Sequence, residues 1–244
     1  MLKQLYNDYE IWKGIRQAKK CRKLHLAPPP ICTFEYRVEG IDGKIKTKYR
    51  QMTHSYTRNF LNFMCMNSIL EPHHSVYTTY SDGSLRLRQT SGSLQSTNNG
   101  RVPCINASGS STSGEHLAAF RGSLNSNAFG IVVGTDDTPE SIDDYRMEGL
   151  VANGSGAGQL QYQLQVEGTA TFNAANKLWN KDWVRSFFNY SGGPITIKEI
   201  GCYMYAGTSF QIMCFIRDVL SSPITIDDGE KLTISYDFKY IVSN

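Results

Sequence analysis

Catalytic signatures are missing from this chain. No GxSxG, HExxH or paired-carboxylate pattern stands in a setting that supports chemistry. The glycine-rich run 153–158 lacks both the lysine and the strand–loop–helix context of a phosphate-binding loop. Asp136, Asp143 and Asp218 would make a hydrolytic site only if the fold brought them together. The six cysteines (Cys21, Cys32, Cys65, Cys104, Cys202, Cys214) form no CxxC pair and read as buried thiols. His73 and His74, with His54 and Cys65, do not read as a metal site. Adjacent histidines in a strand point to opposite faces, and no second ligand pair has a standard spacing. No apolar run is long enough to cross a bilayer. Charges break up the apolar residues near the start, unlike a secretory signal. The expectations are therefore no enzyme, no cofactor, no metal, no membrane, and synthesis in the cytoplasm.

Charge is also scarce, at 19% of residues and a net +3, but it is unevenly placed. Residues 1–25 carry seven Lys or Arg against Asp8 and Glu10, a net +5 that leaves −2 for the rest. Leu2, Leu5, Tyr9, Trp12 and Ile15 recur at three- and four-residue spacing, which predicts an amphipathic helix with a narrow apolar stripe. Its later turns hold Lys13, Arg16, Lys19, Lys20, Arg22 and Lys23, and cations suit a helix C-terminus. One reading is an arm that docks on an acidic protein surface, nucleic acid or lipid head groups. The other is a solvated helix on its own body. Pro28, Pro29 and Pro30 force an extended connector, so 1–30 reads as a basic helical arm with a proline-rich linker. Residues 31–244 read as one body.

That body is rich in β-formers. Cys32, Phe34, Tyr36 and Val38 alternate with polar residues, the 40–43 segment is a turn, and 44–49 alternates again, which predicts a hairpin. The 54–70 stretch switches to helical spacing, with Thr53 or Ser55 as candidate N-cap. A short hairpin is expected at 75–89, and a long polar loop at about 90–115. The 130–134 run reads as a buried strand. The acids of 136–144 fit either a calcium loop or, preferably, a helix start with Thr138 as cap and Pro139 in the first turn. From 159 to 171, Leu160, Tyr162, Leu164 and Val166 alternate with glutamines, which predicts one half-buried strand. The 183–190 and 195–205 runs flank a Ser-Gly-Gly-Pro turn and read as a hairpin. The closing strand alternates Leu232, Ile234, Tyr236, Phe238 and Tyr240 with polar residues. The fold class is mainly β: an antiparallel sandwich or jelly-roll-like body with one packed helix and an N-terminal helical arm.

Several stretches together resemble uncharacterised structural proteins of tailed-bacteriophage virions, head/neck or tail-associated. They are His54-Ser55-Tyr56-Thr57-Arg58-Asn59-Phe60; the 130–134 strand running into Ile142-Asp143-Asp144-Tyr145; Ile197-Lys198-Glu199-Ile200-Gly201; Arg217-Asp218-Val219-Leu220-Ser221-Ser222-Pro223-Ile224; and Leu232-Thr233-Ile234-Ser235-Tyr236. The resemblance lies in their order and covers most of 51–244. It implies a virion component that assembles by symmetric packing, as a decoration, cement or head-completion protein. The alternative is a tail, baseplate or fibre protein, with Trp179, Trp183, Tyr203 and Tyr205 exposed to stack on sugars or buried as core. The partners it implies are the major capsid protein, neck or tail proteins and copies of the chain itself. Nucleic acid would be a further partner of the basic arm, through salt-sensitive contacts.

Overall fold

The computed structural model describes residues 16, 31–53, 55–61, 87–94, 122–175, 178–206 and 211–241. The expected arm, apart from Arg16, lies outside these residues. So do the expected 75–89 hairpin except its last three residues, most of the 90–115 loop, and His54, Cys65, His73 and His74. The described chain is mainly β, with antiparallel pairing, and it divides into two compact units. The first comprises Met1–His54, Asn153–Ile195 and Ile226–Asn244; the second comprises Ser55–Ala152 and Thr196–Thr225.

The first unit is a seven-stranded sheet. Its strands are β1 (Ile31–Glu39), β2 (Ile45–Met52), β4 (Gln161–Tyr162), β5 (Val166–Glu167), β6 (Thr171–Asn173), β7 (Leu178–Phe188) and β10 (Lys231–Ile241). The order is β2-β1-β10-β7, with β4, β5 and β6 in turn along the other edge of β7. The expected β1–β2 hairpin is present, from Thr33↔Met52 through Val38↔Thr47. Strand periodicity decides the core. Cys32, Phe34, Tyr36 and Val38 face Phe238, Tyr236, Ile234 and Leu232 across the β1–β10 ladder, and all but Phe238 are buried. Phe187 and Tyr162 extend this face and meet edge-on, with ring centroids 4.9 Å apart. Each such ring contributes roughly 1.5–3 kcal/mol on burial. Arg185 is also wholly buried here; its Nε donates to the Gln163 carbonyl at 2.9 Å and its guanidinium lies over the Tyr162 ring.

The single strand expected over 159–171 is instead three fragments. Pairing runs Tyr162↔Phe187 in β4, Val166↔Val184 in β5 and Phe172↔Trp179 in β6, so the register slips by one residue twice. A one-residue slip exchanges the faces. Tyr162 therefore points into the core, Gln165 is buried, and Leu164 and Val166 are 46% and 63% exposed. The glutamine row and the greasy row trade places partway along.

The turn before β10 carries an ion pair with a pH consequence. Glu230 is buried; it accepts from the Asp227 N–H and is bonded by the Lys46 ammonium on β2. Burial pushes its carboxyl up, but Lys46 and the Asp227 N–H outweigh burial and hold it below the usual range. A depressed carboxyl contributes stability above its unfolded pKa and loses it as pH falls through its folded pKa. Glu230→Gln is therefore expected to lower the urea midpoint more at pH 7 than in acid below the folded pKa, where the native carboxyl is also neutral. An equal loss at both pH values would sink the assignment.

The second unit holds β3 (Gly130–Gly134), β8 (Ile195–Ala206) and β9 (Gln211–Ile226), in the order β3-β8-β9. The strand expected at 130–134 is there and buried throughout, paired antiparallel to β8 from Gly130↔Tyr203 to Gly134↔Glu199. β9 is one strand of 16 residues rather than the separate pieces its sequence suggests. Pro223 is tolerated in it because β9 lies at the edge of its sheet. The helix expected from 54 opens at Arg58, with Thr57 rather than Thr53 or Ser55 at its start. The Thr57 hydroxyl donates to the Cys214 carbonyl at 2.7 Å, which ties the turn to β9. The helix start expected at Thr138 does not form; residues 136–141 are irregular.

The expected 183–205 hairpin is a correction as well. β7 pairs with β10 and with β4 to β6, whereas β8 pairs with β3 and β9. The 189–194 turn carries the chain from one sheet into the other. Gly192 there takes a φ of 80°, a backbone conformation that glycine adopts without a side-chain clash.

Candidate functional site

Two groupings of side chains stand out, one in each unit. In the second unit they centre on Arg217. Its side chain is 1% exposed and each of its three nitrogens donates a hydrogen bond. Nε donates to Glu199 Oε2 at 2.6 Å, Nη1 to Asp144 Oδ2 at 2.8 Å and Nη2 to the Thr138 carbonyl at 2.9 Å. Glu199 is wholly buried and also accepts from the Gly149 N–H at 2.7 Å. Burial pushes its carboxyl up, while the Gly149 N–H and Arg217 pull it down without cancelling the rise. For Arg217 the burial penalty is outweighed by Asp144 and Glu199, which keep its pKa raised.

The acidic loop is fastened around this node. Glu140 accepts from the Val219 N–H, Asp143 pairs with Arg58 at 2.8 Å, and Asp137 pairs with Lys198 at 2.9 Å. Asp136 turns back to accept from the Thr138 N–H. Tyr203 is buried, and its hydroxyl accepts from the Met147 N–H at 2.7 Å. Each acid of the loop thus has a protein partner. Among the described residues, no group of three or more His, Cys, Asp or Glu side chains could hold a metal ion.

Four of the five segments named for the resemblance meet here; the fifth, residues 232–236, lies on β10 of the first unit. Ser55 accepts from the Arg217 N–H, Arg58 holds Asp143, and Asp144, Glu199 and Arg217 are one chain of contacts. The Glu-Ile-Gly element acquires a reason at each position. Glu199 anchors the loop, Ile200 is buried core, and Gly201 is where a Cβ would run into Met147 Sδ and lie 2.8 Å from the Ile216 carbonyl. The node clamps a loop. Of the three acids weighed for hydrolysis, Asp143 binds Arg58, Asp136 makes a local turn and Asp218 is wholly buried.

In the first unit the grouping is an exposed aromatic shelf. The face of the sheet that is buried around Phe187 and Tyr236 continues along β7 and β10 to Trp183, Phe238, Trp179 and Tyr240. Burial fades in that direction. Trp183, Phe238 and Tyr240 are half-buried, and Trp179 and its partner Phe172 on β6 are each 47% exposed, with ring centroids 5.1 Å apart. Lys181, between the two tryptophans on this face, is occupied by Glu167 at 3.2 Å and the Gly168 carbonyl at 2.7 Å. The aromatics weighed for an exposed role thus divide: Trp179 is on the surface, Trp183 is half covered and Tyr203 is core, while the Tyr205 side chain lies outside the described residues. Phe172 was missed because it lies just past the 159–171 stretch; its pairing with Trp179 sets it on this face.

Of the candidate arm residues, Arg16 is helical and exposed. Lys13, Lys19, Lys20, Arg22 and Lys23 lie outside the described residues. No helix among the described residues is long and apolar enough to cross a membrane. No family model, curated protein or solved structure matches the chain.

Proposed function

We propose that the chain is a structural component of a tailed-bacteriophage virion. It acts without catalysis, by symmetric packing of its copies, as a capsid-associated decoration, cement or head-completion protein. The observation that carries this reading is the aromatic shelf. Two half-exposed rings on a sheet face whose other end is core make a surface suited to protein contact. The resemblance of the Arg217-node segments to virion proteins supplies the setting. In this reading the body, 31–244, is sandwich- or jelly-roll-like. It is delivered from the host cytoplasm into the particle, and its partners are the major capsid protein, neck or tail proteins and further copies of the chain. The 1–30 arm meets acidic protein surface or nucleic acid. Copy number per purified particle, by quantitative mass spectrometry against the major capsid protein, tests this. Hundreds of copies assign a lattice component, and a dozen or fewer assign the neck, baseplate or fibre. Absence from particles overturns the reading.

The exposed Trp179 favours a second reading, a tail or fibre protein that stacks on sugars. A glycan array that remains blank removes it.

A further inference from the structure

We infer that the shelf of Phe172, Trp179 and Tyr240 receives the apolar stripe of the N-terminal segment of a second copy. The inference rests on the assembly reading above and gives it a contact. Three observations carry it. First, the shelf and the N-terminal segment lie at the same end of the sheet. β1 begins at Ile31, paired with Lys239, while Tyr240 pairs with Trp179 and Trp179 with Phe172. Ile31 is therefore two strands from Trp179, about 10 Å at the usual strand spacing. Second, the chain before Ile31 offers matching chemistry. Leu2, Leu5, Tyr9, Trp12 and Ile15 are apolar, lie at helical spacing and need a surface to cover them. Third, direction selects the copy. β1 begins at the shelf end and runs away from it. The sequence makes 27–30 an extended spacer of about 9–12 Å that resists folding back. A stripe carried on such a spacer would be offered to the shelf of a neighbour. In a two-fold pair each copy would supply one stripe and one shelf.

The test uses the full chain and variants at both ends of the contact. Leu5→Asp/Trp12→Asp breaks the stripe, and Phe172→Asp/Trp179→Asp breaks the shelf. Wild type is expected to self-associate in sedimentation experiments. Either variant alone is expected to weaken association by ~10-fold or more while keeping the wild-type far-UV circular dichroism. Mixed together, the two variants still hold one intact stripe and one intact shelf, and they are expected to form a one-to-one complex. Wild type that stays monomeric overturns the inference. So does self-association that ignores the shelf variant, or a mixture that yields no complex. A glycan bound by wild type and lost in the shelf variant, with association unchanged, assigns the shelf to carbohydrate instead. Particle occupancy separates the two levels. A shelf variant that enters particles at full copy number overturns the docking and leaves the virion reading in place, whereas a wild type absent from particles overturns the virion reading.

Discussion

Replacing Arg217 with methionine is expected to cost about 3–5 kcal/mol, a large share of the roughly 5–15 kcal/mol that holds a domain together. The size follows from what the guanidinium leaves behind. Glu199 is wholly buried and would keep only backbone donors, chiefly the Gly149 N–H at 2.7 Å. Asp144 and the Thr138 carbonyl would lose their Arg217 bonds in the same step. Urea unfolding at pH 7 reads the loss as a fall in midpoint. The double replacement Arg217→Met/Glu199→Met removes both charges and is expected to recover much of it, because the buried pair itself breaks roughly even against apolar packing. The pH dependence has a defined sign. Burial already raises the Glu199 carboxyl in the native state. Without Arg217 it rises further, so the folded form holds its proton more tightly than the unfolded form. The Arg217→Met protein is therefore expected to lose stability as pH rises through that folded pKa, and to lie nearest to wild type in mild acid. A cost under about 1 kcal/mol at pH 7, in the range of a surface ion pair, would refute the clamp.

Asn189→Ala is expected to cost about 1–3 kcal/mol, since it orphans the buried Ile226 carbonyl and strips bonds from the half-buried turn. Asn189 is wholly buried where the chain leaves β7. Its Nδ2 donates to the Gly193 carbonyl at 2.8 Å and to the Ile226 carbonyl at 2.7 Å. Its Oδ1 accepts from the Ser191 N–H at 3.0 Å and from the Ser191 hydroxyl at 2.7 Å. The amide thus uses both its donors and its acceptor in one turn. Asn189→Asp separates these roles: it keeps the acceptor but sets a carboxylate against two carbonyls. It is expected to be at least as damaging as alanine in a thermal melt at pH 7. Should Asn189→Asp melt like wild type, the two donated bonds are not what holds the turn.

These two residues show where sequence reading reached and where it stopped. The β1–β2 hairpin and β10 were legible, because the β1–β10 ladder keeps one register throughout and the β1–β2 ladder keeps one as far as Val38, so period-two alternation survives. The 130–134 strand was legible as an apolar run between glycines. The β7–β8 hairpin was misread because local turn chemistry is the same whether a chain doubles back or crosses into another sheet. Partner choice is set by β10 and β3, far along the chain in both cases. The 159–171 stretch was misread because one register slip inverts its faces between β4 and β5 and a second restores them at β6, and nothing in the residues of that stretch alone marks a slip. The Arg217 node was half visible. Its segments drew notice one by one, but their convergence depends on pairings such as Gly134↔Glu199 that join distant parts of the chain. The acids of 136–144 looked like a helix cap because carboxylates near Thr-Pro often are one. Here Asp137, Asp143 and Asp144 go to cations and Glu140 goes to the Val219 N–H, which leaves no cap to start a helix.

The placement of β10 has a consequence for the protein during its synthesis. This strand follows every other described strand, yet it lies between β1 and β7. As the ribosome proceeds, β1 emerges early and finds β2 at once, but its other edge waits almost two hundred residues for Lys231–Ile241. Through that interval Phe34, Tyr36 and Val38 have no strand beside them on that side, on a free edge of nine residues. An unpaired apolar edge is a template for pairing with another chain. Nascent copies translated side by side on one message are thus at greatest hazard before the final strand emerges. Slower initiation, or a chaperone that shields an open β edge, is expected to raise the soluble fraction of the expressed chain.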